Sequence, residues 1–293
     1  MDNSHKAGFV SIIGKPNVGK STLMNKMVGE KLSIITSKAQ TTRHRIMGIL
    51  NGEDFQIVYS DTPGIIDPKY KLHQNMMRFV NMSLEDADVI LFVTDIYEKY
   101  SEDDAIKKLG HHDVPVILII NKIDQIKKEE ELVEKIEYWK TKINAKEVIP
   151  ISALEGFNTE RVFDVIMENI PQHPAYYDKS ELTDKPERFF ASEIIREQIF
   201  QNYNKEIPYS TQVVITDFVE EPNIIRIRAQ IFVERDSQKG IIIGNKGAAL
   251  KKTGMGARLE MEQFFGKKVF LEQHVKVEPD WRNKENKLKN FGY

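Results

Sequence analysis

Cysteine is absent from all 293 residues, which excludes disulfides, thiolate nucleophiles and cysteine-ligated metals. Net charge is nearly absent too. The 42 basic and 44 acidic residues leave −2, a balance that argues neither for nor against a nucleic-acid partner. Long apolar runs are missing: the longest, residues 89–93 and 114–120, suit buried strands and cannot span a bilayer. No apolar stretch follows a basic one at the N-terminus, so no secretory signal is read and a soluble intracellular protein is expected. The length is sufficient for two domains, each with its own core.

What is present begins with Gly14-Lys15-Pro16-Asn17-Val18-Gly19-Lys20-Ser21, set between an apolar run at 9–13 and a helical pattern opening at Thr22. Strand, glycine-bounded loop and helix form the context in which G-x-x-x-x-G-K-[ST] binds phosphate. Backbone N–H groups of Gly14, Asn17, Val18 and Gly19 can turn inward, and the helix N-terminus adds partial positive charge. Lys20 would reach the outer phosphates, while Ser21 would bind magnesium and Thr22 would complete the site.

Residues 30–45 are polar and without period, and read as a flexible loop. Strands are expected at 46–51, 55–59, 88–94, 114–120 and 147–151. They alternate with helices that begin with the face Leu72, Met76 and Phe79 and continue near 103–109, 129–142 and 159–169. This alternation predicts an α/β fold with a mainly parallel sheet and helices on both faces. Ligands in such sheets bind beyond the carboxyl ends of the strands. Three further motifs fall there: Asp61-Thr62-Pro63-Gly64, Asn121-Lys122-Ile123-Asp124 and Ser152-Ala153-Leu154. Asp61 would hold magnesium through water, and the Gly64 N–H could meet a γ-phosphate. Asp124 could accept two N–H donors from guanine, whereas adenine would leave a buried carboxylate unpaired. Asn121 would share in reading guanine, Lys122 could lay its stem along the base, and the Ala153 N–H could donate to the guanine carbonyl. The charge runs at 127–131 and 134–135 read as the solvated face of a helix. His111 and His112 read as surface residues, since neighbours on a helix point apart.

The ordered motifs resemble the GTPase superfamily related to translation factors, and by that resemblance Thr42 of Thr41-Thr42-Arg43 would ligate magnesium only when GTP is bound, with Thr41 as the alternative. Small signalling GTPases place a water-orienting glutamine after Asp-x-x-Gly. Ile65 stands there instead, so unaided hydrolysis should be slow. Relatives with an apolar residue at this point use potassium, which the resemblance assigns to Asn17.

Residues 170–186 hold three prolines and two tyrosines without an apolar period, and read as a linker. Beyond it come a helix at 188–203, strands at 212–219 and 224–234, the run Ile241-Ile242-Ile243-Gly244-Asn245-Lys246-Gly247, and a last strand at 268–277. Leu250, Gly254, Ala257, Met261 and Phe264 trace a helical stripe. From 237 to 259 there are five basic residues, Lys239, Lys246, Lys251, Lys252 and Arg258, and no acidic one. G-x-x-G opening a basic helix after this order of elements resembles the bacterial, type II form of the K-homology (KH) RNA-binding domain. There the glycines admit phosphates and an apolar groove takes single-stranded bases. Ile243, Gly244, Asn245, Lys246, Gly247, Lys251 and Lys252 are the RNA-binding candidates. Thr253, Gln273 and His274 depart from the apolar residues expected of such a domain.

Taken together, the phosphate loop, Gln40-Thr41-Thr42-Arg43, Glu206-Ile207-Pro208-Tyr209-Ser210, Ser237-Gln238-Lys239 and Val275-Lys276-Val277 resemble the TrmE-Era-EngA-like group of bacterial GTPases, in its Era-type branch with a C-terminal KH domain. The resemblance implies a GTPase domain at 1–172, a linker at 173–186 and a KH domain at 187–293. It also implies GTP/GDP and magnesium as ligands, potassium as a further one, and a monomer. The implied partners are 16S rRNA near its 3′ end and the 30S subunit during assembly, with partial peripheral association at the inner membrane. A signalling GTPase with a protein or membrane partner is the alternative, against which the basic G-x-x-G segment argues.

Overall fold

The computed structural model describes residues 5–99 and 114–293. The helix expected near 103–109 and the pair His111 and His112 lie outside the described residues. The chain divides into two compact units: the first runs to Pro68 and takes in His73–Asp184, the second comprises Lys69–Leu72 and Lys185–Tyr293.

In the first unit, strands β1 (Lys6–Ile13), β2 (Ile46–Asn51), β3 (Phe55–Asp61), β4 (Val89–Asp95), β5 (Val116–Asn121) and β6 (Glu147–Pro150) form one sheet in the order β2-β3-β1-β4-β5-β6. Only β2 runs antiparallel to its neighbour. Every residue of β4 and β5 is buried, as parallel strands covered on both faces require. Ile90, Phe92, Leu118 and Ile120 pack on one face against Val80 and Leu84 of α2 (Lys71–Glu85) and Trp139 of α3 (Glu129–Lys140). Helix α1 (Lys20–Val28) touches β2, β3 and α4 (Thr159–Asn169). Strand β1 pairs with β3 on one side and β4 on the other, so the sheet reverses its winding there and opens a crevice beyond Ile13.

Residues 30–45 carry no helix or strand, but they are not the flexible loop expected from their polarity. Leu32, Ile34, Thr41, Thr42, Arg43 and Arg45 are buried. Asn25 of α1 pins the segment, accepting from the Leu32 and Ser33 N–H groups at 3.0 and 2.9 Å and donating to the Ser33 carbonyl at 2.7 Å. The linker is also fastened. The Ile49 N–H donates to the Leu182 carbonyl at 2.8 Å, the Met47 N–H to Asp184 Oδ1 at 3.0 Å, and Gln56 Oε1 accepts from the Tyr176 and Tyr177 N–H groups. Backbone and amide groups, invisible to apolar periodicity, hold this segment along β2.

The second unit contains α5 (Glu187–Asn202), α6 (Ile207–Ser210), β7 (Gln212–Glu220), β8 (Ile224–Val233), α7 (Asp236–Ile243), α8 (Ala248–Phe265), β9 (Lys268–Val277) and α9 (Glu285–Asn290). Strand β8 is central, antiparallel to β7 and parallel to β9. Its Ile225, Ile227, Ala229, Ile231 and Val233 are buried and alternate with less buried Arg226, Arg228 and Gln230. The buried stripe of α8 differs from the one read off the sequence. Thr253, Ala257 and Met261 are the buried residues, Phe264 is exposed, and Leu250 and Gly254 border a groove. Thr253 enters this core because its hydroxyl is satisfied: Oγ1 lies 3.1 Å from both the Ala249 carbonyl and Tyr203 Oη, with its single proton directed between them.

Candidate nucleotide site and nucleic-acid interface

Residues 14–19 join the end of β1 to α1 beside a cavity of about 430 Å³. Asn17, Gly19, Lys20, Ser21, Thr22, Thr42, Gly64, Lys122, Asp124 and Leu154 line it, gathered from five separate chain segments. Gly19 sits at φ 98°, and a Cβ there would come within 2.1 Å of the Asn121 amide nitrogen. The loop therefore needs glycine both for its backbone and for space. Gly14 and Val18 are buried and stand behind this lining, where the Gly14 carbonyl accepts from the Ile65 N–H at 3.0 Å.

The Lys20 side chain is buried, with Nζ donating to the Lys15 carbonyl at 2.8 Å. Burial lowers its pKa from 10.5 to about 8, against the opposing pull of Asp61 and Glu98. Ser21 Oγ donates to Asp61 Oδ2 at 2.6 Å and lies 2.9 Å from Thr42 Oγ1, which is 3.4 Å from the same carboxylate oxygen. Thr42 is thus the threonine turned to this cluster. Thr41 instead bonds Thr36 Oγ1 at 2.6 Å and the Lys38 carbonyl at 2.7 Å. Asp61 is fully buried and its Oδ1 has no hydrogen-bond partner. Burial raises the Asp61 pKa, opposed first by the Ser21 hydroxyl and then by Lys20.

A buried carboxylate oxygen without a donor, beside two hydroxyl oxygens, is a hard-oxygen set that fits magnesium. No cluster of three or more histidine and carboxylate side chains exists among the described residues.

At the other end of the cavity Lys122 adopts φ 65° and its ammonium meets Asp95 Oδ2 at 2.6 Å. Asp124 lines the wall with its carboxylate exposed, not buried as selection against adenine by an unpaired carboxylate requires. Asn121 is engaged on both sides of its amide, with one of its two N–H protons left over for a ligand. Its Nδ2 donates to the Val18 carbonyl at 2.8 Å and its Oδ1 accepts from the Ala153 N–H at 2.9 Å. The same bond claims the Ala153 donor expected for a guanine carbonyl. Ser152 and Ala153 are buried behind Leu154, which is exposed at the mouth. Asn17 donates from Nδ2 to the Ser37 carbonyl at 3.0 Å, which leaves its oxygen as the atom that could face a cation.

In the second unit a smaller groove of about 380 Å³ is lined by Gly247, Leu250, Lys251, Gly254, Met255, Arg258, Leu271 and Gln273. Gly244 has φ 71°, and a Cβ on it would come 2.6 Å from the Ala249 methyl. Lys246 follows at φ 49°, exposed at the tip of the turn, with Asn245 exposed beside it. Ile243 packs against the core, and Lys252 is exposed outside the groove lining.

The family of 50S ribosome-binding GTPases matches residues 9–122, and the KH domain family matches 206–282. GTPase Era of Staphylococcus haemolyticus is 44% identical over 292 residues, 99% of this chain and 97% of that protein. The chain belongs to the GTPase Era family. A crystal structure of Era in complex with MgGDPNP and nucleotides 1506–1542 of 16S ribosomal RNA is 40% identical, with a TM-score of 0.94 over 99% of both chains. An Aquifex aeolicus Era variant bound to GDP and aluminium fluoride also gives a TM-score of 0.94, at 41% identity over 98% of this chain and 99% of that one.

The site also draws on residues that no motif announced. Asp95 closes β4 and holds Lys122. Glu98 is 3.7 Å from Lys15 and accepts from Thr94 Oγ1 at 2.8 Å. The available signal was positional: an acidic residue at the carboxyl end of an apolar strand that lacked a motif. In the groove, Met255, Leu271 and Gln273 come together only because β9 pairs beside β8, a register that sequence spacing does not supply.

Proposed function

We propose that this member of the Era family is a GTP-hydrolysing switch that binds small-subunit 16S rRNA near its 3′ end and acts in 30S subunit assembly. One observation carries the reading. Over 99% of its length the chain matches, at 40% identity, an Era structure that holds both a magnesium-bound guanine nucleotide and 16S RNA. The cavity supports the nucleotide half. Lys20 is placed at the phosphate loop, Asp124 and Lys122 stand at the base end, and Asn121 ties the two ends together.

Ser21, Thr42 and Asp61 would hold magnesium, which when bound neutralises charge on the phosphates. The Ile65 N–H is spent on Gly14 and its side chain packs into the core, so this residue orients no water. Slow unaided turnover follows from that, and a potassium ion at Asn17 is the proposed supplement. On the RNA side, Gly244–Gly247 would admit a phosphate, Lys246 and Lys251 would neutralise it, and the groove beside Leu250 would take bases. None of the described helices is long and apolar enough to cross a membrane, so peripheral association at the inner membrane would rest on surface contacts.

The test is binding of a 16S 3′-end RNA against salt, with a GTP analogue or GDP, for wild type and for Lys246→Ala and Lys251→Ala. Each substitution should flatten the salt slope by about one unit. Unchanged slopes would remove the RNA reading. Single-turnover assays with and without RNA and potassium test hydrolysis, and no turnover under any condition would leave a binding protein only.

A further inference from the structure

Helix α2 follows the Asp61-Thr62-Pro63-Gly64 segment, and its third residue, His73, carries a side chain that no motif claims. The imidazole is 4% exposed. Its Nε2 lies 3.1 Å from Gln40 Oε1, so the ring N–H donates to the amide oxygen. Gln40 lines the nucleotide cavity with φ 59°, a left-handed backbone that a residue with a side chain adopts only under constraint. Two residues on is Thr42, whose hydroxyl sits 3.4 Å from Asp61 Oδ2, at the outer limit of a hydrogen bond. A small movement of this segment takes Thr42 away from the carboxylate.

Two more contacts fasten the segment to the same helix region. The His44 and Phe79 rings lie 5.8 Å apart, and Arg45 pairs with Asp86 at 2.5 Å. Those two grip the downstream end, whereas His73 acts upstream of Thr42. Residues 36–45 belong to no helix or strand, so such side-chain contacts set their position.

We propose that His73 is a positioning residue for GTP hydrolysis: it holds Gln40 in its left-handed conformation and thereby keeps Thr42 at Ser21 and Asp61. His73 does not line the cavity and acts through Gln40. The proposal rests on the reading of Thr42 as a magnesium- and phosphate-side residue of a GTPase.

The experiment compares wild type with His73→Leu, which keeps apolar bulk, His73→Gln, which keeps an N–H donor, Gln40→Ala, and the Gln40→Ala/His73→Leu double variant. Single-turnover and steady-state hydrolysis, GDP affinity and thermal unfolding are measured on the full chain. His73→Leu should lower kcat/KM for GTP about tenfold, the scale of one lost hydrogen bond in the transition state, with GDP affinity unchanged. His73→Gln should recover most of the rate, and the double variant should be no slower than either single one. Equal loss in His73→Leu and His73→Gln, multiplying losses in the double variant, or full activity in His73→Leu would each overturn the proposal. Should His73→Leu fail to fold, Gln40→Ala carries the test, and its full activity would overturn the idea. Absence of turnover in wild type would instead overturn the GTPase reading beneath it.

Discussion

The Asn121 amide nitrogen donates to the Val18 carbonyl at 2.8 Å and so joins the carboxyl end of β5 to the phosphate loop, 103 residues earlier in the chain. Its oxygen meanwhile holds the Ala153 N–H. One side chain therefore fixes three loops, and its loss should weaken phosphate and base recognition together. Asn121→Ala is expected to lower GTP and GDP affinity alike by about 30- to 140-fold, as two buried hydrogen bonds of about 1–1.5 kcal/mol each imply. Titration calorimetry with both nucleotides checks this. Loss confined to GTP would contradict the three-loop role.

Lys20 supplies a pH signature. Its folded pKa of about 8 lies below the ordinary 10.5, so above pH 8 the folded protein releases a proton that the unfolded chain keeps. The unfolded state then binds more protons, and this group's contribution to stability rises with pH between about 8 and 10.5; below 8 the burial penalty is present in full. Phosphates favour the charged form, so GDP binding just above pH 8 should take up a proton. Calorimetry in two buffers of different ionisation enthalpy measures that uptake, and Lys20→Met should abolish it.

Thr41 and Thr42 are neighbours with opposite attachments. Thr42 faces Ser21 and Asp61, while Thr41 closes a turn on Thr36 and Lys38. Thr42→Ala should reduce the affinity for a GTP analogue about tenfold and leave GDP affinity unchanged, since its contact serves the triphosphate state. Thr41→Ala should instead move both affinities equally or neither. Competition with a fluorescent nucleotide distinguishes the two patterns.

In the second unit Thr253→Val keeps volume and deletes a hydroxyl bonded to Tyr203 and Ala249. Tyr203 retains its own donation to the Ile242 carbonyl at 2.8 Å. The expected cost is about 1 kcal/mol of stability, read by urea unfolding, with RNA affinity unchanged. A drop in RNA affinity without a stability change would place Thr253 in the groove instead of the core.

The parts of the fold legible in the sequence were those written in apolar runs and fixed spacings. Strands β4 and β5, helix α4 and the phosphate loop came from continuous burial or from motif geometry. Residues 30–45 escaped because Asn25, Arg45 and Ser60 hold them through polar bonds that leave no apolar trace. The motif placed Asn121 at the site but not its bonds to Val18 and Ala153, because a motif gives residue types and not which donors and lone pairs are already spent. Gln273 reached the groove through strand pairing, which spacing along one chain does not encode.

The fastening of residues 176–184 along β2 has a consequence for solubility. Strand β2 is the last in its row, and an uncovered outer strand is a template on which another chain can add itself. Leu182, Thr183 and Asp184 occupy that position from within. The connector therefore guards against self-association, and inserting a long glycine-serine stretch into it should cause clumping before it costs either domain its fold.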